Sequence, residues 1–209
     1  MGKIGVFGGT FNPVHRGHEI TALEFYGKFG LDKLLVIPSN IPPHKKNETG
    51  VTPKSRLEMC GICFGKYKGR DIQVSDIEIK KEGVSYTFDT LAELKKTYPG
   101  EAIYFLAGSD MFLYIEHWHR YEEVLKMCVF AVAFRQNDET EKNEVKELRE
   151  KLAKAGYRIE LLENAAYEIS STQLRDRIGN RDFEGIGEYI SPEVLDYIKE
   201  KKIYVLQQK

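Results

Sequence analysis

Six short apolar runs alternate with stretches of helical periodicity along nearly the whole chain, and this alternation limits the fold more than any other feature. The runs are Lys3 to Phe7, Lys33 to Ile37, Ile72 to Ile79, Ile103 to Ala107, Val129 to Phe134 and Arg158 to Leu162. Helical spacing covers Gly17 to Phe29, Pro53 to Gly65, Thr87 to Tyr98, Tyr121 to Lys126 and Glu139 to Ala155. Gly30 closes the first of these, and Thr52 with Pro53 opens the second. Strands that alternate with helices in this way predict an α/β fold with a doubly wound parallel sheet and helices on both faces. Two more helices, Ser171 to Ile178 and Pro192 to Lys201, form a small C-terminal helical segment. No linker, repeat or low-complexity tract interrupts residues 1–209, so one domain is expected.

Bulk composition mainly excludes. A formal charge of -1 gives no global footprint for nucleic acid or an anionic membrane surface. No long apolar run or signal-peptide pattern is present, and a cytoplasmic location is expected. Three cysteines do not suit a disulfide scaffold. Cys60 and Cys63 spell C-x-x-C, but late in a helical segment and with no second ligand pair nearby, so they read as buried structural thiols. The charged stretch Asp138 to Lys154 carries Val145, Leu148 and Leu152 at helical spacing, with Glu147–Lys151 and Glu150–Lys154 as i,i+4 pairs, and reads as a solvated helix.

The chemistry concentrates in the connections. Gly8 to His18, GGTFNPVHRGH, links the first strand to the first helix. Gly8 and Gly9 allow a ligand close to backbone N–H groups, and a helix opening at Gly17 and His18 would aim its positive end where His15 and His18 stand. This is neither a Walker A loop nor the dinucleotide glycine fingerprint, so phosphate would be held by histidines. Near the other end, Ser170, Ser171 and Thr172 begin a helix whose Arg175 shares their face, a set able to converge on an anion. Between these lie three weaker stretches. Residues 38–46 form a proline loop that carries Asn40, His44 and Lys45 off the second strand. Ser85-Tyr86-Thr87 opens a helix whose N–H groups favour a carboxylate, unless Ser85 or Thr87 merely caps it. Gly108-Ser109-Asp110 follows a strand end and precedes Trp118, an acceptor for ribose hydroxyls and a face for a flat ring, unless the tryptophan simply fills core.

HxGH near one end and ISSTxxR near the other resemble the nucleotidyltransferase superfamily of adenylyl- and cytidylyltransferases. PSNIPPHK, SYTFDTL and GSDMF with HW are similar to bacterial nicotinate-nucleotide adenylyltransferases, and the resemblance spans nearly the whole chain. It implies a Rossmann-like fold and transfer of AMP from ATP to nicotinate mononucleotide, with Mg2+ accompanying the ATP. It further implies that His15, His18 and Arg175 serve catalysis. Gly8, Gly9, Thr10, Phe11, Gly108, Asp110, Ser170, Ser171 and Thr172 would meet ATP, and Asn40, His44, Lys45, Tyr86, Thr87 and Trp118 would meet nicotinate mononucleotide. Asn12 stands where the family usually has Asp, and Arg16 where Asn is frequent. No protein-held metal, nucleic acid or membrane partner is implied, and a homo-oligomer stays open. The same end motifs would also serve a nicotinamide-mononucleotide or phosphopantetheine enzyme, or a nucleotide-binding regulator without turnover.

Overall fold

The computed structural model of the protein describes residues 2–41, 51–81, 83–135, 139–164 and 169–204. Six strands form one parallel sheet among the described residues: β1 (Lys3–Gly9), β2 (Lys33–Pro38), β3 (Ile72–Val74), β4 (Ala102–Gly108), β5 (Val129–Arg135) and β6 (Ile159–Asn164). Their order is β3-β2-β1-β4-β5-β6. The chain winds outward from β1 through β2 to β3, returns to β4 beside β1, and winds outward again to β6. Connections leave β1 and β4 toward opposite faces, and the crevice this opens at the strands' carboxyl ends is where such sheets bind ligands.

The helices are α1 (Arg16–Lys28), α2 (Pro53–Phe64), α3 (Thr87–Thr97), α4 (Ser109–Leu113), α5 (Tyr121–Met127), α6 (Glu139–Lys154), α7 (Ser171–Gly179) and α8 (Pro192–Glu200). One face of the sheet is covered by α1, α2, α7 and α8, whose Phe25, Met59, Leu174 and Ile198 join a core with Leu34 and Val36. The other is covered by α3 to α6, through Leu91, Phe112, Val124 and Val145 against Val6, Phe105 and Phe130. Residues 4 and 6 of β1 face one core and residue 7 the other, the alternation a strand buried on both faces requires. No helix among the described residues is long and apolar enough to cross a membrane.

Two expectations need correction. The run Ile72 to Ile79 is a strand only to Val74. Its apolar residues change phase, from 72 and 74 to 77 and 79, and at the break Ser75 turns the chain, its Oγ accepting from the Ile77 N–H. Glu78 and Ile77 then enter the packing from a turn. On α6, Lys151 pairs with Glu116 at 2.8 Å across to the segment before α5, in place of its helical neighbour Glu147. The buried thiols agree with their sequence reading: Cys60, Cys63 and Cys128 are free and buried, and burial pushes the Cys60 thiol well up and those of Cys63 and Cys128 to about 12. None is a nucleophile at neutral pH.

Candidate active site

A cleft of about 1770 Å³ opens along the carboxyl edge of the sheet at the β1/β4 switch. Every described residue to which the sequence assigns a catalytic or binding role lines it, from Gly8 through Arg175. His44 and Lys45 lie outside the described residues.

At the phosphate-like end the helix termini organise themselves. His15 is the N-cap of α1 in extended conformation, and its N–H donates to His18 Nδ1 at 3.3 Å. An accepting Nδ1 assigns the proton of the neutral His18 ring to Nε2. The two imidazoles lie 3.8 Å apart between ring centroids. The Phe11 ring, 2 % exposed, packs edge-on at 5.0 Å from the His18 ring, and Phe7 supports Phe11 in turn at 5.2 Å. Phe11 therefore supplies the wall beneath His18, and any approach of its own to a nucleotide is through its backbone. Gly9 exists for this packing, since a Cβ there would sit 2.9 Å from the Phe11 ring. At Gly8 a Cβ would meet nothing of the chain closer than 3.7 Å, so the protein's own packing does not demand glycine, and the side it leaves bare is the cleft's.

The α7 hydroxyls are more committed than the sequence suggests. Ser170 is the N-cap, accepting from Gln173 N at 3.2 Å in a capping box. Ser171 Oγ donates to the Pro13 carbonyl at 3.0 Å, and Thr172 Oγ1 accepts from Arg175 Nη2 at 3.0 Å. Arg175 Nη1 donates to the Asn12 carbonyl at 2.8 Å. These bonds dock α7 onto the loop before α1, so the two end motifs form one wall although 163 residues separate Asn12 from Arg175. They use two of the guanidinium's five donors. Tyr204 closes the outer side by donating to Asn12 Oδ1 at 2.5 Å, a contact available to the amide that stands at position 12.

Beneath α1, Glu19 is 5 % exposed and accepts from Tyr67, while Lys66 reaches it at 2.7 Å and Arg16 at 3.3 Å. Burial pushes its pKa up, but the bonds from Lys66 and Tyr67 and the charges of Lys66 and Arg16 outweigh this and hold the carboxyl below its ordinary value.

The opposite end is built from aromatic rings and a bare helix terminus. Tyr86 is the N-cap of α3, with no side chain capping the helix. Neither Ser85 nor Thr87 takes that part: Ser85 Oγ accepts instead from the Asn40 N–H at 3.1 Å. Asn40 turns its amide donors to the Lys81 and Gly83 carbonyls, at 2.8 and 3.3 Å, and so holds the loop that leads into α3. The Tyr86 ring packs on His119 at 4.7 Å. Trp118 is half-buried, edge-on to Phe105 at 6.0 Å, and its buried Nε1 finds no acceptor among the described residues. Between the ends, Gly108 caps α4, a helix too short for periodicity to reveal. Asp110 folds back until its Oδ1 lies 2.7 Å from where a Cβ on residue 108 would stand, so its carboxylate rests over Gly108.

Three cleft residues escaped the sequence reading. Ser109 donates to Glu141, which brings the first turn of the otherwise solvated α6 to the cleft wall. Glu78, 8 % exposed, accepts from Thr90 at 2.8 Å behind the start of α3. Burial pushes its carboxyl pKa up. Arg56, 3 % exposed, does carry a sequence signal, because with Met59, Cys60 and Cys63 it completes the buried face of α2 at helical spacing.

A cytidylyltransferase-like family model matches residues 6–177, and the chain belongs to that family. Within it, the chain is 38% identical over 206 residues to a probable nicotinate-nucleotide adenylyltransferase of Carboxydothermus hydrogenoformans, covering 97% of this chain and 98% of the relative. It is 32% identical over 205 residues to the nicotinate-nucleotide adenylyltransferase of Bacillus subtilis, covering 98% and 99%. In fold it is similar to a Plasmodium falciparum nicotinic acid mononucleotide adenylyltransferase complexed with NaAD, with a TM-score of 0.78, 21% identity and 98% of both chains covered.

Proposed function

We propose that the chain transfers the adenylyl group of ATP to nicotinate mononucleotide, giving nicotinate adenine dinucleotide and pyrophosphate, a step of NAD biosynthesis. The observation that carries this reading is the joining, in one cleft, of a donor-rich wall of two imidazoles and a guanidinium, from His15, His18 and Arg175, with an uncapped helix start beside Trp118. The curated relatives' names support the same reaction.

In this reaction a phosphate oxygen of nicotinate mononucleotide attacks the α-phosphorus of ATP. The bond from that phosphorus to the oxygen bridging to the β-phosphate breaks, and pyrophosphate leaves with the electron pair. The attacking phosphate is already ionised near neutral pH, so catalysis rests on alignment and on stabilising the charge that spreads over the transferring group. His18 Nε2–H donates to an α-phosphate oxygen as charge builds there, its ring held by the His15 N–H on one side and Phe11 on the other. Arg175 presents its remaining donors to the β- and γ-phosphates from α7. Gly8, Gly9 and Thr10 offer backbone close to the nucleotide, and Asp110 accepts from a ribose hydroxyl. Ser170, Ser171 and Thr172 act through the wall they brace.

At the acceptor end, N–H groups of the first turn of α3 meet the pyridine carboxylate, which an amide would not satisfy equally, and Trp118 stacks on the ring. The donor set fits a Mg2+ carried by ATP more closely than one caged by the chain: among the described residues no three His, Cys, Asp or Glu side chains converge, and Asp110 offers the cleft a single exposed carboxylate. Such an ion, carried in on the triphosphate, would neutralise charge on the leaving pyrophosphate.

Pyrophosphate release with ATP and magnesium tests the reading when nicotinate mononucleotide, nicotinamide mononucleotide and phosphopantetheine are compared in parallel. Turnover confined to the acid supports it. Preference for another acceptor would retain the chemistry and overturn the assignments of Tyr86, Thr87 and Trp118.

A further inference from the structure

Parallel strands send their last carbonyl groups toward the same edge, and here that edge is the floor of a cleft proposed to receive a triphosphate. Unpaired carbonyl oxygens on such a floor would face the ligand with partial negative charge, the wrong sign for an anion. Beyond β1 and β2 three of these oxygens are instead gathered by one side chain. Arg56 Nη1 donates to the Thr10 carbonyl at 2.7 Å, and Nη2 donates to the carbonyls of Ser39 at 2.6 Å and Asn40 at 2.9 Å.

The placement runs against ordinary helix preferences. Arg56 sits in the first turn of α2 after Thr52 and Pro53, where the helix dipole disfavours a cation. It is almost fully buried, and among the described residues no carboxylate lies within ion-pair distance of it. A buried guanidinium in that position is costly unless its planar fork is needed, and three backbone acceptors from two loops are what the fork grips.

We propose that Arg56 is a positioning residue that ties the nucleotide half of the cleft to the acceptor half. On one side, the grip on the Thr10 carbonyl fixes the peptide leading into Phe11, whose φ of 48° is left-handed and strained for a bulky residue, and Phe11 in turn backs His18. On the other, the grip on Ser39 and Asn40 fixes the strand end from which the Asn40 N–H reaches Ser85, one residue before the bare start of α3. The Ser85 N–H donates to the Ile41 carbonyl at 3.1 Å, and this second link makes the connection stiff. One side chain thus sets the distance between the group that stabilises the α-phosphate and the groups that read the pyridine carboxylate. The inference rests on the proposed function for the identity of the two ligands, but the linkage itself is a property of the loops.

The test compares Arg56→Lys with Met59→Ala. Lysine keeps the charge and most of the volume but cannot hold three carbonyls in one plane. Met59 lies on the same buried face of α2 and does not line the cleft, so its truncation reports the cost of loosening the core alone. Calorimetry with a non-hydrolysable ATP analogue and with nicotinate mononucleotide, each on folded protein, gives two dissociation constants per variant. Arg56→Lys is expected to weaken both by about tenfold, the scale of one lost charge-assisted hydrogen bond, while Met59→Ala lowers Tm and leaves both within about twofold of the parent. Unchanged binding of both ligands in Arg56→Lys, or weakening of one alone, overturns the proposal. Absence of pyrophosphate release by the parent protein would count against the proposed function instead, and the two binding constants would still decide the linkage.

Discussion

The two ends of the cleft are held by different physics. At the phosphate-like end the side chains are braced by protein partners: His15 to His18, Ser170 to Gln173, Ser171 to Pro13, Arg175 to Asn12 and Thr172. At the acceptor end the principal features are a helix whose N-cap Tyr86 gives no side-chain bond, and a tryptophan whose buried N–H finds no acceptor among the described residues. The first end is preorganised to stabilise charge that develops during reaction, where any reorganisation would cost rate. The second leaves donors to be satisfied by the ligand, which suits discrimination between acceptors.

The contrast breaks most sharply at His18. His18→Ala is expected to lower kcat for pyrophosphate release by about 100- to 1000-fold at saturating ATP, with little change in acceptor KM. A variant that lost ATP affinity but kept full turnover at saturation would remove the transition-state role. Trp118→Ala should do the reverse, raising the acceptor KM about tenfold through lost stacking while the ATP KM stays within about twofold. Equal loss for both substrates would mean that the ring merely fills space against Phe105 and Phe130.

Smaller effects concern the braces behind the phosphate-like end. Glu19→Gln removes a carboxylate that the folded protein holds below its ordinary pKa, and should cost about 1–3 kcal/mol at neutral pH. A depressed folded-state pKa stabilises above the unfolded value and loses that contribution as pH falls through the folded value. The Tm gap between parent and variant should therefore be full at neutral pH and shrink below the ordinary value of 4.5. A gap that widened on acidification would show the Lys66 and Arg16 contacts to be unimportant. Ser170→Ala, which loses only the cap of α7, should cost about 1 kcal/mol of stability, read as a modest fall in Tm with kcat nearly retained. A large fall in kcat would instead place the Ser170 hydroxyl on the nucleotide.

What the sequence revealed follows the same division. The sheet and its helices were legible because burial on both faces leaves continuous apolar runs, as in β4 and β5, and the end motifs were legible because each packs its groups within one turn of chain. β3 was overextended because a phase change between Val74 and Ile77 looks like a strand until the turn at Ser75 is seen. Arg56 and Glu78 were missed because their meaning lies in partners remote in sequence, although an arginine on the apolar face of α2 was a visible anomaly. The hydroxyls of α7 read as anion ligands, whereas Ser170 and Ser171 spend themselves on capping and docking; spacing alone cannot separate those uses. The start of α3 reads two ways in sequence, as donors for a carboxylate or as a helix capped by Ser85 or Thr87, and the bond of Ser85 to the Asn40 N–H shows where the Ser85 hydroxyl goes instead.

The central claim is that the backbone terminus of α3 selects the acid at the acceptor end. Thr87→Pro tests it most directly. Residue 87 is the first residue of α3, where proline is well tolerated, and Tyr86 before it is already extended at φ -102 and ψ 134, so the change deletes one N–H with little disturbance. The kcat/KM ratio for nicotinate over nicotinamide mononucleotide should fall about tenfold, with the ATP KM unchanged. An unaltered ratio in a folded, active Thr87→Pro protein would contradict the account.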